Sequence, residues 1–471
     1  MVHEINGVLN GVLLASLLMA GTTGAATSDG ATTAKPNIIF ILADDLDPRH
    51  LGCFGQQQIQ TPCIDRMAGE GMRFTQLYTG TSICAPARAS LLTGLHMGHC
   101  PIRANRECRP MEGQMPLPAA VPTVAKVLKA AGYATACTGK WGLGMFDTTG
   151  SPLKQGFDHF FGYNCQRHAH DYYPAYLYSD DQRIALDGKT YSEDLIIDDT
   201  LKWVRAHAQQ PFFLYFAVTL PHAGLSKPSD SGSEYAEKNW PHQAKVYASM
   251  VSRLDRDTGR ILDLLKELKL DEKTIVFFSG GDNGVSYGYD KWAAVFAPAP
   301  EQRLRGSKTT MYEGGLRQGG IVRWPGQVPG GKVCDEPWAF WDFLPTAAEL
   351  ANVKLPASVS VDGRSVLSAL RGGPMPQRPY FYWELFAGSY MQAARFEDWK
   401  AVRPKLGGAV EIYNLKTDPR ETQDLAAGKP ELVAKAEEIF KTARDNSPDW
   451  VPGDDTWRKK AIERREKAAE K

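Results

Sequence analysis

Four apolar runs of strand length in this chain each end in side chains that carry charge or bind it. Pro36–Ala43 delivers Asp44 and Asp45, and Tyr133–Thr138 leads into Gly139 and Lys140. Pro211–Leu220 delivers Pro221 and His222, and Ile275–Phe278 runs through Ser279, Gly280 and Gly281 to Asp282 and Asn283. A strand with one wet face alternates apolar and polar residues. Runs without alternation are apolar on both faces, as parallel strands covered by helices on both sides are. Helical segments fall between them. Thr61 and Pro62 are expected to open and cap a helix running to Gly69, and Thr123 to cap Val124–Ala131 before Gly132. Tyr191–His207 reads as a helix, as does Gln243–Lys269, where Val246, Met250, Leu254, Ile261 and Leu265 recur at helical spacing and read as core. The alternation of strand and helix predicts an α/β fold: a large, mostly parallel sheet sandwiched by helices over residues 36–371.

A Gly/Pro-rich break at Gly372–Pro376 predicts a boundary. Beyond it, Tyr380–Trp383, Met391–Phe396, Trp399–Arg403 and Glu411–Leu415 are short strand-like runs, followed by a helical stretch Glu431–Ala443. They predict a smaller C-terminal subdomain over 377–450, an antiparallel sheet backed by a helix, ahead of a charged tail over 451–471.

With 54 basic against 54 acidic side chains in 471 residues, no global field steers the chain to nucleic acid or to an anionic membrane. Attraction for an anionic substrate must be local. Val8–Ala20 is an apolar run too short for a membrane span, and small residues follow it through Ala26. This pattern predicts an export signal over 1–26, a periplasmic or secreted protein, and no membrane span after cleavage. Eight cysteines in a chain of this size make no disulfide scaffold, and no pair has zinc-site spacing. Cys100 and Cys108 are close enough in sequence to pair in an oxidising compartment.

Open parallel sheets bind ligands beyond the carboxyl ends of their strands. Asp44 and Asp45 there are placed for a hard cation, Asp282 and Asn283 add oxygens of the same kind, Lys140 can meet an oxyanion, and His222 is a candidate general acid. The stretch Ser82–Gly94 adds Cys84, Pro86 and Arg88. Proline suits the first position of a helix, so Cys84 is expected at a helix N-terminus, where free N–H groups attract anions, with Arg88 one turn on and turned back toward it.

Cys84-x-Pro86-x-Arg88 followed by Leu92-Thr93-Gly94 resembles the modification motif of type I sulfatases, the arylsulfatase family within the alkaline-phosphatase-like superfamily. The strand ending in Asp44-Asp45, Gly139-Lys140-Trp141, Pro221-His222, Asp282-Asn283-Gly284, Lys308 and Glu313-Gly314-Gly315-Leu316-Arg317 continue the resemblance in the family's order. It implies that a maturation enzyme of the formylglycine-generating kind converts Cys84 to formylglycine. One hydroxyl of the hydrated aldehyde then attacks sulfur, and the other later drives sulfate out. It also implies that Asp44, Asp45, Asp282 and Asn283 hold one divalent cation, calcium or else magnesium, and that Arg88 anchors the modified residue. Lys140 and Lys308 would neutralise the sulfate, and His222 would protonate the leaving oxygen. The function expected is hydrolysis of a sulfate monoester on a sulfated small molecule or carbohydrate. The alternatives are a phosphate or phosphonate monoesterase on the same scaffold, and a silent protein that binds sulfated glycans.

The chain departs from the family's pattern at Gly142, where a histidine is usual, and in its extra Gly281. Arg167, His168 and His170 lie together in the loop Cys165–Pro174, which is expected to contact substrate. His168 or His170 is expected either to act as the base missing at Gly142 or to grip the substrate beside it.

Overall fold

The computed structural model describes residues 35–228, 230–284, 295–296, 303–356, 359–454 and 456. The expected export signal and residues 457–471 of the charged tail lie outside the described residues. The strands of the first part are β1 (Asn37–Leu42), β2 (Met72–Tyr78), β3 (Glu107–Arg109), β4 (Gly113–Gln114), β5 (Ala134–Lys140), β6 (His159–Tyr163), β7 (Tyr176–Ser179), β8 (Gln182–Ala185), β9 (Phe212–Ala217), β10 (Thr274–Ser279), β11 (Arg317–Arg323), β12 (Lys332–Cys334) and β13 (Trp338–Ala339). Between them run α1 (Pro62–Glu70), α2 (Cys84–Thr93), α3 (Val124–Ala130), α4 (Ser192–Ala206) and α5 (His242–Glu267), and α6 (Phe343–Leu350) follows β13.

All but the β3–β4 hairpin join one sheet in the order β12-β2-β11-β10-β1-β9-β5-β6-β7-β8, with β13 also on β2. Its centre, β10-β1-β9-β5-β6, is parallel, and β11 and β7 run the other way. The mostly parallel sheet expected from unbroken apolar runs is therefore present. The pairing register decides the function. Leu42 lies opposite both Ser279 and Ala217, and Ala217 lies opposite Gly139. The carboxyl ends of the four central strands are therefore level, and the chemistry that follows each emerges at one edge.

Side chains alternate between the two faces of these strands. Ile38, Phe40, Phe213, Tyr215, Ile275 and Phe277 pack with α2, α3 and α6. Ile39, Ile41, Leu214, Phe216, Val276 and Phe278 pack with α1, α4 and α5. Each such side chain, fully buried, contributes about 1.5–3 kcal/mol of transfer free energy, so the strand ends are held by a stiff platform.

Two helix starts differ from expectation. The Thr61 side chain makes no cap bond to α1; its hydroxyl accepts from Gly52 N at 2.8 Å instead. The Asp255 carboxylate on α5 takes the N–H groups of Cys63 and Ile64 at 3.1 and 2.7 Å, bringing a full charge to the positive end of the helix. The second helix, α2, begins at Cys84 itself and places Pro86 third. Its cap residue Ile83 makes no side-chain bond, and Asn105 Oδ1 accepts from Ala85 N at 2.8 Å. The α3 cap is as expected: the Thr123 side chain accepts from Lys126 N. Cys100 and Cys108 are free thiols, like the other six cysteines.

The C-terminal strands β14 (Phe381–Ala387), β15 (Ser389–Phe396), β16 (Trp399–Arg403) and β17 (Glu411–Asn414) form an antiparallel sheet in sequence order, followed by α7 (Pro430–Thr442). The sheet grips the segment that carries Lys308. Lys400 Nζ on β16 is fully buried between Glu313 at 2.8 Å and Glu421 at 3.0 Å, and Glu421 accepts from Glu313 N at 2.7 Å. Arg305 donates to Tyr413 Oη at 2.7 Å. Asp362 latches the far end of α2, accepting from His96 N at 2.9 Å and pairing with His99 Nδ1 at 2.8 Å. No helix among the described residues is long and apolar enough to cross a membrane.

Candidate active site

Cys84, the first residue of α2, is buried at the level edge of the sheet. Its Sγ stands 3.7 Å from Asp44 Oδ1, 3.7 Å from Asn283 Nδ2 and 3.5 Å from Lys308 Nζ. Asp44 and Asp45 follow β1, and Asp45 takes the left-handed backbone (φ 58°); a carboxylate oxygen of each lies within 4.8 Å of the other and of Cys84 Sγ. Asp282 and Asn283 follow β10, and Thr79 at the end of β2 donates to the Asp282 carbonyl.

Three cations meet the three carboxylates. Arg88 Nε binds Asp282 Oδ2 at 2.8 Å and its Nη1 binds the Lys140 carbonyl at 3.0 Å, so a buried guanidinium ties α2 to β5 and to the turn after β10. Lys140 Nζ lies 2.6 Å from Asp44. Lys308 Nζ lies 2.7 Å from Asp45 Oδ1 and 3.1 Å from His222 Nε2. His222 Nδ1 pairs with the Ala223 carbonyl at 2.9 Å, which a protonated Nδ1 satisfies, so Nε2 is the nitrogen turned to the pocket. Of the twelve residues expected at the site, all but Arg167 and His168 are thus in mutual contact or one neighbour removed.

Burial opposes charge here, and the pairings decide which groups keep it. Burial would raise Asp44, but the neighbouring Lys140, His222, Arg88 and Lys308 outweigh it and hold the carboxyl well below its usual range. Asp282 goes the other way, pushed up by burial and then by the Asp44 charge. Burial, followed by the Asp282 charge, pushes the Cys84 thiol up to about 12. A cysteine so protonated is a poor nucleophile as it stands.

A family model described as Sulfatase matches residues 36–353. The chain belongs to the sulfatase family. A second model, N-sulphoglucosamine sulphohydrolase, C-terminal, matches residues 306–444. The chain is 33% identical over 418 residues to N-acetylgalactosamine-6-sulfatase of Canis lupus familiaris, covering 82% of this chain and 74% of that protein. Among solved structures it is similar to Ps i-CgsB in complex with k-i-k-neocarrahexaose, with a TM-score of 0.79, 26% identity, and 92% and 99% of the two chains covered. Its likeness to the phosphonate monoester hydrolase of Agrobacterium radiobacter, TM-score 0.62 at 18% identity over 86% and 95% of the chains, shows the shared fold alone. The protein is a sulfuric ester hydrolase.

In this sulfatase Gly142 cannot carry a side chain without rearrangement. Its φ is +81°, and a Cβ there would stand 1.8 Å from Gln166 Nε2. The Gln166 carboxamide fills that direction, 3.4 Å from the Trp141 carbonyl, while its Oε1 is buried without a partner. Of the loop residues, His170 reaches the cluster: its ring stacks on His222 with centroids 3.8 Å apart at 13°. Burial, then the Lys140 and His222 charges, push it down to about 2, so it is a neutral imidazole, and its Nε2 is buried without a partner. His168 instead packs edge-on to Tyr163 and against Tyr176. Arg167 pairs with the buried Glu107 at 2.6 Å, its charge engaged by the β3–β4 hairpin. Asn105, Gln166 and Glu107 had no signal of their own in the sequence, because each acts across a gap that only folding closes.

Proposed function

We propose that this sulfatase cleaves a sulfate monoester on a carbohydrate, with Cys84 working after conversion to formylglycine. The observation that carries the proposal is the Cys84 shell: Sγ lies within 3.7 Å of an acid, an amide and an ammonium group in a buried pocket, the surroundings of a reacting atom rather than of a core thiol. The hydrated aldehyde would supply two hydroxyls on one carbon, one to attack and one to expel. Lys140 and Lys308 are placed to offset charge developing on the sulfate oxygens, and Arg88 to hold α2 and the Asp282 turn in register. His222 Nε2, beside the Lys308 ammonium, can carry a proton to the leaving oxygen. His170, stacked on it, borders the same space and offers its unpartnered nitrogen to substrate.

The donors also suit a cation. Asp44, Asp45, Asp282 and Asn283 offer oxygens only, which favours calcium or magnesium, and Asn283 Oδ1 is buried with no hydrogen-bond partner. An orphaned buried oxygen costs about 1–3 kcal/mol, and a metal ligand is not orphaned. Bound there, the cation would polarise a sulfate oxygen.

A carbohydrate is favoured because relatives are named for N-acetylgalactosamine-6-sulfate chemistry or were solved with a neocarrahexaose. The Val8–Ala20 run supports export, to be checked by cell fractionation. The deciding experiment is peptide mass analysis of active enzyme. Residue 84 is expected about 18 Da lighter than cysteine, as thiol-to-aldehyde conversion of a nucleophile requires; full activity with an intact thiol refutes the mechanism. Matched sulfate and phosphonate esters of one sugar separate the rival activity.

A further inference from the structure

The turn that carries His222 is gripped from several directions, and apart from His170 the residues that grip it have no place in the proposed chemistry. The Tyr172 hydroxyl lies 3.0 Å from the Thr219 carbonyl and 3.1 Å from the His222 carbonyl, and the residue is 1% exposed. His222 N donates to that same Thr219 carbonyl at 3.0 Å, so one phenol fastens both ends of the turn. The Thr219 hydroxyl in turn donates to Glu193, a buried carboxyl at the start of α4. Two residues before Tyr172, His170 lays its ring flat on the His222 ring. Gly224 closes the contact: a Cβ there would come within 2.5 Å of the His170 carbonyl.

A histidine that must present one nitrogen needs its backbone fixed and its ring plane fixed, and the 170–172 segment supplies both. We propose that Tyr172 is a positioning residue of this sulfatase: its hydroxyl sets the 219–222 turn so that His222 Nε2 stays 3.1 Å from Lys308 Nζ and 3.3 Å from Asp45. The proposal rests on His222 carrying the leaving-group proton. Tyr172 is itself too buried to touch substrate.

Leaving-group dependence separates positioning from bulk stability. Nitrated phenols leave without protonation, whereas unsubstituted phenol, with a pKa of about 10, needs it. The test measures kcat and KM for a graded series of aryl sulfates with wild type, Tyr172→Phe and His222→Ala. The Phe variant keeps the ring and its stack on Tyr191 at 5.7 Å, so it keeps the fold. General acid catalysis is worth about 10²–10⁴-fold, so His222→Ala is expected to lose about a hundredfold on phenyl sulfate and little on the most activated ester. Tyr172→Phe is expected to lose about tenfold at the phenyl end, with KM unchanged. If His222→Ala steepens the dependence and Tyr172→Phe lowers all rates equally, or none, Tyr172 has no positioning role and the part assigned to His222 stands. If His222→Ala gives no steepening, the part assigned to His222 falls and the Tyr172 proposal with it.

Discussion

Giving residue 142 a side chain should show what occupies its side-chain direction in this sulfatase. Gly142→Ala places a Cβ 1.8 Å from Gln166 Nε2, 2.5 Å from its Cδ and 2.8 Å from its Cγ, at a φ of +81°. The backbone term costs about 1–2 kcal/mol for any residue with a Cβ. The steric term cannot relax by a small shift of the carboxamide alone, because the overlap reaches back to the Gln166 Cγ and the residue is 4% exposed. Its carboxamide must leave, at the roughly 1–3 kcal/mol of an overpacked core. The sum is a loss of about 2–5 kcal/mol. With Gln166→Ala in the background the obstacle is gone and only the backbone term remains, so the two changes should couple favourably by about 1–3 kcal/mol in a double-mutant cycle. Equilibrium urea unfolding of the four proteins measures it. Additive costs, or a neutral Gly142→Ala, would show that Gln166 does not occupy the side-chain direction of residue 142.

Chelation should abolish turnover, with calcium or magnesium restoring it better than zinc, and Asn283→Leu should weaken calcium binding in calorimetry while the fold persists. Restoration by zinc alone would contradict the oxygen-only donor set. Burial pushes Glu193 up to about 8 from 4.5. Between those values the folded chain holds a proton that the unfolded chain has lost, so stability falls as pH rises through that window, by up to about 5 kcal/mol at 1.36 kcal/mol per unit; Glu193→Gln should flatten this dependence in melts from pH 4.5 to 8. Lys400→Met strands Glu313 and Glu421 beside each other with no cation between them. A loss of about 3–5 kcal/mol is expected, and an unchanged melting temperature would mean the carboxyls take up protons at no cost.

The strands that build the site were readable because their burial is total. A run such as Ile38–Leu42, every residue apolar and buried, leaves no polar position to confuse with an amphipathic helix. Cys84, Arg88, the four oxygen donors, Lys140, His222 and Lys308 were likewise visible, each at the end of such a run or in a compact motif. The loop beyond β6 was harder. His170 and His168 are two residues apart in similar company, yet one stacks on His222 and the other packs tilted against Tyr176, and local sequence contains nothing that separates them.

What the sequence determined by itself was composition along single strands: which segments are buried on both faces, and which chemical group each delivers at its carboxyl end. Tertiary structure alone decided what those groups meet. The level register of β10, β1, β9 and β5 sets Asp282 beside Arg88, and Lys308 reaches Asp45 from 263 positions away. Gln166 fills the space over Gly142, and Asp255 rather than Thr61 caps α1. The physical reason is that strand burial is a property of neighbouring residues in one chain segment. A hydrogen bond or a collision between side chains depends on pairings tens to hundreds of residues apart, which exist only once the sheet has closed.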